Sequence, residues 1–575
     1  MSQFSRHRVA LLLALLALPA FGLCAHATVA ANPLFSSEAV LQRGIPIPVW
    51  GTADEGEQVT VTLAGETAQS TAKNGSWQVT LPPLPAGGPY TMTIAGPANT
   101  LTLTDVYVGE VWICSGQSNM TFAVANASNG QDLEKQTDPQ LHLFRVANAV
   151  SDTPLKTLNG TWTSCANNVP GGFSAVGYVF GRELRKALNV PVGMIESSVG
   201  GTVAQSWTSN DALSKNPAFQ HFFDEYTAAQ AGYPAVLQDF QTKLPDLQTA
   251  YAAAKAKYDT DYAAAKAQYD ADVATAKANN TALPPAPVYP PAPRQPAPPP
   301  DPAKTNNWHG HLYNGMIAPL VPYGIAGAIW YQGESNAGHP GEYRILLPTM
   351  IADWRSAWNE GNFPFIIVQL PPIGDPAPQT PTGTPHEAPW AQMREAQRLM
   401  AVDDPKVGLA VTTDISDEII LHPTKKEPVG IRAGLVARGQ FYGEKVPYLG
   451  PQFAGVTPQG GSLVVHFTSA DGLTTSDNAP PRGFQVEGAD GKWAYATATI
   501  NGTGVTLTSP DVAAPVNARM GWDQHPVLNL VNGAGLGAGT FSSDDSAWIH
   551  ILVAPAPAPA QPQPAVAPAP APAAN

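Results

Sequence analysis

The strongest constraint on the fold is a recurring order. A short, continuously apolar run is followed by a polar loop or by a stretch with helical spacing. Val106 to Cys114 runs into Gly116-Gln117-Ser118-Asn119-Met120. Gly177 to Leu188 has helical spacing, and Val192 to Ile195 is apolar again. Leu320 to Trp330 ends in an apolar run that meets the polar segment Gln332 to Asn336. Glu342 to Trp358 is helical in pattern, and Phe365 to Leu370 is a further apolar run. Runs without alternation suit strands buried on both faces. Strands alternating with helices predict an α/β fold, a parallel sheet with helices on its faces. Functional groups in such sheets gather at the carboxyl ends of the strands. Four polar segments qualify: Gly116 to Asn119, Ser197 to Thr202, Gln332 to Asn336, and the loop holding His422.

The α/β pattern occupies residues 105–225 and 306–449, and other textures surround it. With 575 residues the chain calls for about two to four domains. Arg6, His7 and Arg8 precede the apolar run Val9 to Leu23, and Ala25-His26-Ala27 supplies small residues. Residues 1–27 therefore read as a secretory signal peptide cut after Ala27, and the run is short for a membrane span. No later run is long and apolar enough to be one. Export to the periplasm or the exterior is expected. Removing Arg6 and Arg8 leaves 29 of the 31 Lys and Arg against 45 Asp and Glu, a net charge of −16. That balance repels nucleic acid and tolerates a glycan. Beyond Cys24 only Cys114 and Cys165 remain. Export permits them to pair, but two cysteines make no disulfide framework.

Residues 28–104 alternate apolar and polar. Val59, Val61 and Leu63 do so, as do Trp77, Val79 and Leu81 after the turn signal Asn74-Gly75. A small β-sandwich is expected there. Residues 226–305 interrupt the α/β region with an Ala-rich helical arm and a Pro-rich segment. Tyr251, Tyr258, Tyr262, Tyr269 and Val273 share one helix face, which predicts packing on a neighbouring helix or the body. Residues 284–302 are Pro-rich, hence extended and semi-rigid. In residues 450–553, Leu463, Val465 and Phe467 alternate, as do Phe484 with Val486 and Val505 with Leu507, predicting a second β-domain. The Pro/Ala tail, residues 554–575, is expected to be disordered.

Ser118 follows the first strand in a Gly-containing turn. A serine hydroxyl becomes a nucleophile when a base takes its proton, and histidine titrates in the useful range. His422 is the candidate base. Gly200-Gly201-Thr202 allows close backbone approach, and an N–H there would help hold an oxyanion. The Gln332 side chain is a further candidate donor, while Glu334 and Asn336 are candidates to orient neighbours. The pattern is not a G-x-S-x-G elbow, because residue 120 is Met. His309 and His311 form an H-x-H pair without an evident third metal ligand.

Taken in order, several blocks resemble the sialate O-acetylesterase family of the SGNH (GDSL-like) hydrolase superfamily. They are "NPLFSSEAVLQRGIPIPVWG", "DVYVGEVWICSGQSNM", "GGFSAVGYVFGREL", "SSVGGTVAQSWTS", "LYNGMIAPL", "GAIWYQGESNA", "FPFIIVQL", "HPTKKEPVG" and "HPVLNL". The resemblance implies a three-layer α/β/α hydrolase domain with flanking all-β domains. It implies acetyl-ester hydrolysis on a sugar or glycan, without a cofactor or metal. It places the nucleophile on Ser118 and the base on His422. Oxyanion roles fall on the Ser118 amide, Gly200 or Gly201, and Gln332, with Asn119, Glu334 and Asn336 binding or orienting. One position departs: the family commonly has Asp-Ile-His-Pro, and this chain reads Ile420-Leu421-His422-Pro423. The orienting acid then falls on Glu418, with Asp417 and Glu334 as alternatives, or a backbone carbonyl orients a Ser–His dyad. An acetylxylan esterase shares this chemistry. A non-catalytic carbohydrate-binding protein on the same scaffold is the reading from another class.

Overall fold

The computed structural model describes residues 28–287, 289, 291–378, 384–385, 387–415 and 419–544. Residues 1–27, where a signal peptide is expected, Asp417, Glu418, residues 545–553 and the Pro/Ala tail lie outside them. Seven strands form the central sheet: Thr100–Gly116 (β1), Asp138–Arg145 (β2), Trp162–Cys165 (β3), Val192–Ser198 (β4), Gly327–Tyr331 (β5), Phe365–Val368 (β6) and Val407–Ala410 (β7). Their spatial order is β3-β2-β4-β1-β5-β6-β7. Only β3 is antiparallel to its neighbour.

Helices Ala175–Leu188 (α1), Gln220–Ala278 (α2), Pro340–Trp358 (α3), Pro389–Asp403 (α4) and Glu427–Val436 (α5) complete the main framework. Val111, Ile113, Ala328, Trp330, Phe365 and Ile367 share an apolar cluster with α3 and α4. Their strand neighbours Trp112, Cys114, Ile329, Tyr331, Ile366 and Val368 share another with α1 and α5. The sheet is thus apolar on both faces, which explains the unbroken runs. Each fully buried aliphatic side chain contributes about 1.5–3 kcal/mol. Ser174 caps α1 by accepting from Gly177 N at 3.0 Å, and Asn189, at φ 51°, ends it in the left-handed region.

The first strand is longer than the run Val106 to Cys114 predicts. It starts at Thr100 and pairs antiparallel with Gly87–Ala95 before entering the parallel sheet. The change of texture at Asp105, where φ is 55°, is a bend within one strand. Gln58–Leu63 joins Glu66–Thr71 to Gly87–Ala95, while Ile47–Thr52 joins Ala30–Ala31 to Ser76–Leu81. Asn74 and Gly75 both take positive φ in the turn the sequence marks. The apolar residues of this N-terminal region merge with one face of the central sheet. After residue 450, two four-stranded antiparallel sheets enclose a separate cluster that includes Leu463, Val486, Leu507, Met520 and Phe541.

The inserted helix α2 has 59 residues, so it extends about 90 Å. The tyrosine face meets the proline segment of the same insertion. Pro284, Pro293, Pro296 and Pro299 are half-buried between exposed neighbours, at the three-residue period of a polyproline helix. Tyr262 lies 4.4 Å from Tyr289 by ring centroids, and Tyr233 Oη donates to Pro299 O at 3.4 Å. At the root, Tyr226 packs edge-on against His309 and His311, 5.4 and 5.1 Å away, and donates to Asp152. The H-x-H pair therefore anchors the arm. Cys114 and Cys165 are both free and buried. Among the described residues no helix is long and apolar enough to cross a membrane.

Candidate active site

Three neighbouring strands end level with one another. Gly116 of β1 is paired with Ser198 of β4 on one side and Tyr331 of β5 on the other. Gly116 has φ 133°, and a Cβ there would collide with the Tyr331 carbonyl, so only glycine fits. Beyond it, Gln117 N donates to Tyr331 O at 3.0 Å and Val199 N to Gly116 O at 3.1 Å. These bonds draw the following loops together over the strand ends.

Ser118 opens the single-turn helix Ser118–Thr121 and is half-buried. Its Oγ lies 2.8 Å from His422 Nε2, across 304 residues of chain. Gly200 packs beside it, and a Cβ added at Gly200 would stand 3.5 Å from Ser118 Cβ. Gly201 has φ 73° and open space around it. The backbone N–H groups of Ser118, Gly200 and Gly201 donate to none of the described residues. They are free for a ligand oxygen.

Asn119 is fully buried and holds the site together from behind. Its Nδ2 donates to Glu334 Oε1 at 2.6 Å and to Leu421 O at 3.1 Å. Gln117 Oε1 accepts from Ser335 N at 3.1 Å. Asn336 Oδ1 accepts from Ala204 N at 2.9 Å and from Gln332 Nε2 at 2.7 Å, while its Nδ2 donates to Gln205 Oε1 at 3.0 Å. Gln332 Nε2 also donates to Thr202 O at 3.1 Å.

Comparison with known proteins places the chain in a family. A profile of the family described as carbohydrate esterase, sialic acid-specific acetylesterase matches residues 108–239 and 303–432. The rat sialate O-acetylesterase is 28% identical over 437 residues, covering 70% of this chain and 72% of the rat protein. The human sialate O-acetylesterase is 27% identical over 451 residues, covering 73% and 71%. The crystal structure of a carbohydrate acetylesterase from Xanthomonas citri superposes with a TM-score of 0.70 at 31% identity, over 90% of this chain and all of that one. The chain belongs to the sialic acid-specific acetylesterase family.

Within this acetylesterase-family chain, the fold gathers Ser118, His422, Gly200, Gly201, Gln332, Asn119, Glu334 and Asn336 at one rim. One expectation is corrected. Both Nε2 hydrogens of Gln332 are directed at Thr202 O and Asn336 Oδ1, and Oε1 is the atom left unpartnered. The Ala204 N–H fixes the orientation of Asn336 and so that of Gln332, whose donors are not free for an oxyanion. Glu334 bonds Asn119 rather than the imidazole, which removes it as the acid touching His422. Burial raises its pKa, an effect that Asn119 and Lys426 partly offset. Asp417 and Glu418, the other acids, lie outside the described residues. The pKa of His422 is lowered, first by burial and then by Lys426, so its resting state is the neutral imidazole a base requires.

Sequence reasoning gave no individual role to Gln117, Thr202 or Lys426. Gln117 stands inside the nucleophile block and Lys426 inside "HPTKKEPVG". A buried polar residue inside a polar block carries no local signal of its burial, which is set by distant elements.

Proposed function

We propose that this acetylesterase-family chain is an exported serine esterase that removes O-acetyl groups from sialic acid. Its framework is the three-layer SGNH arrangement with β-domains on either side. The single observation that carries the reading is the 2.8 Å contact between Ser118 Oγ and His422 Nε2. Ser118 Oγ attacks the acetyl carbonyl carbon and gives its proton to His422 Nε2. The oxyanion is held by the Ser118 N–H and one from Gly200 or Gly201. Collapse breaks the ester bond, and the imidazolium protonates the departing sugar oxygen. His422 then takes a proton from water, whose attack on the acyl-enzyme releases acetate and restores Ser118. Gln332 works indirectly, by fixing the Thr202 carbonyl and Asn336 beside the glycines.

The substrate follows the family profile and the curated relatives, all sialate-directed. Ser118→Ala is expected to abolish turnover of a chromogenic acetate ester while leaving the Tm unchanged. Retained turnover, or failure of a fluorophosphonate to label Ser118, would refute the mechanism. Faster acetate release from acetylated xylan than from O-acetylated sialic acid would keep the mechanism and replace the substrate.

A further inference from the structure

Behind the Ser118–His422 pair stands a charged residue that neither the motifs nor the resemblance assigned. Lys426, four residues after His422 and just ahead of α5, is 1% exposed. Its Nζ donates to Asn119 Oδ1 at 2.5 Å. The same ammonium lies 4.9 Å from the centre of the Phe122 ring and 5.4 Å from that of Tyr331, within cation–π range. Phe122 follows the nucleophile helix, and Tyr331 ends β5.

Asn119 is the residue next to the nucleophile. Through Nδ2 it grips the Leu421 carbonyl, immediately before His422, and through Oδ1 it grips Lys426, shortly after it. The remaining Nδ2 bond, to Glu334, prevents the amide from turning. The chain that carries the imidazole is thus tied to the nucleophile turn on both sides of the imidazole. Burying an ammonium group costs several kcal/mol before its partners compensate. A methionine of similar length would fill the same space without that cost, so packing alone gives no reason for the charge.

We propose, resting on Ser118 and His422 as nucleophile and base, that Lys426 is a positioning residue which, through Asn119, fixes the imidazole in line with the serine hydroxyl. Its charge has a second effect, because it also lowers the pKa of His422. Among the described residues, the imidazole also meets the Ser118 hydroxyl, and the Glu334 carboxyl stands behind Asn119. Glu427 is turned to Arg182 and Asn129. Asp417 and Glu418, on the same loop as His422, lie outside the described residues.

The test uses the full-length protein, with kcat and KM on a small acetate ester measured across pH. A substrate-free NMR titration of the His422 ring, assigned with His422→Gln, runs beside it. Lys426→Met is expected to lower kcat about 100-fold with KM little changed, as misaligned reacting groups do. It should also move the His422 titration and the acid limb of kcat to higher pH. Asn119→Ala is expected to lower kcat comparably while leaving the titration near its wild-type position, since the ammonium remains. If Lys426→Met lowers the Tm but keeps wild-type kcat and titration, Lys426 is structural and the proposal is overturned. Should that variant not fold, an unchanged kcat in Asn119→Ala overturns it equally. A wild-type protein without turnover would instead sink the esterase reading, and the titration would still decide whether Lys426 and His422 are coupled.

Discussion

As the proposed base, His422 works under two opposing demands. It must be neutral to take the serine proton and basic enough to hold it. Burial and the nearby ammonium both favour the neutral ring, so its pKa lies below the ordinary 6.5. Activity is then complete above that pKa and lost as the pH falls through it. The acid limb of kcat/KM is expected below pH 6.5, and a profile from about pH 4.5 to 8 would locate it. A limb above 6.5 would mean that a carboxylate outside the described residues outweighs both effects. The proposed nucleophile and base, Ser118 and His422, stand out in the sequence because each lies in a distinctive block. What stayed hidden was the direction of the amides. Gln332, Asn119 and Asn336 are equally able to donate and to accept, and which atom faces the substrate depends on partners more than a hundred residues away.

At the scale of whole elements, hydrophobic period decided what was legible. β4 as far as Ile195, β5 and β6 are unbroken apolar runs, and α1 and α3 have helical spacing, so all five could be placed from sequence. β7 is a four-residue strand containing Gly408, and α4 carries buried Arg394, Glu395 and Gln397 on its inner face. Neither leaves a pattern long or apolar enough to read. The inserted arm shows the opposite case. Its tyrosine stripe was plain, but the partner was a polyproline helix, which has no hydrophobic alternation to betray it. Beyond its root the hairpin touches mainly itself, and its ion pairs, such as Lys255 with Asp259 and Lys266 with Asp270, are local. Replacing residues 237–296 by a short Gly-Ser turn should keep kcat/KM on a small acetate ester within about twofold. A larger loss would place the hairpin in the catalytic unit.

For the molecule as a whole, the C-terminal β region bears on the rim of the site. Arg394 of α4 is fully buried and donates to the carbonyls of Gly521, Asp523 and Gln524. Next along the chain, His525 Nδ1 meets Gly374 O at 2.7 Å, and the His525 carbonyl accepts from Ala377 N at 2.8 Å. Gly374 N in turn donates to Ile419 O, three residues before His422. Arg394→Met takes this donor from the carbonyls of Gly521, Asp523 and Gln524, of which the last keeps the Ile373 N–H, and is expected to cost about 3 kcal/mol. The measurement is a lower Tm accompanied by a reduced kcat. An unchanged kcat at a lower Tm would show that this connection carries stability alone. The opposite end of the chain is joined even more directly. Since β1 lies first beside Gly87–Ala95 and then between β4 and β5, the N-terminal region is no detachable module. Severing the polypeptide near Asp105 would saw through the beam that carries Ser118 at its end, and a recombination event there would inherit half a strand.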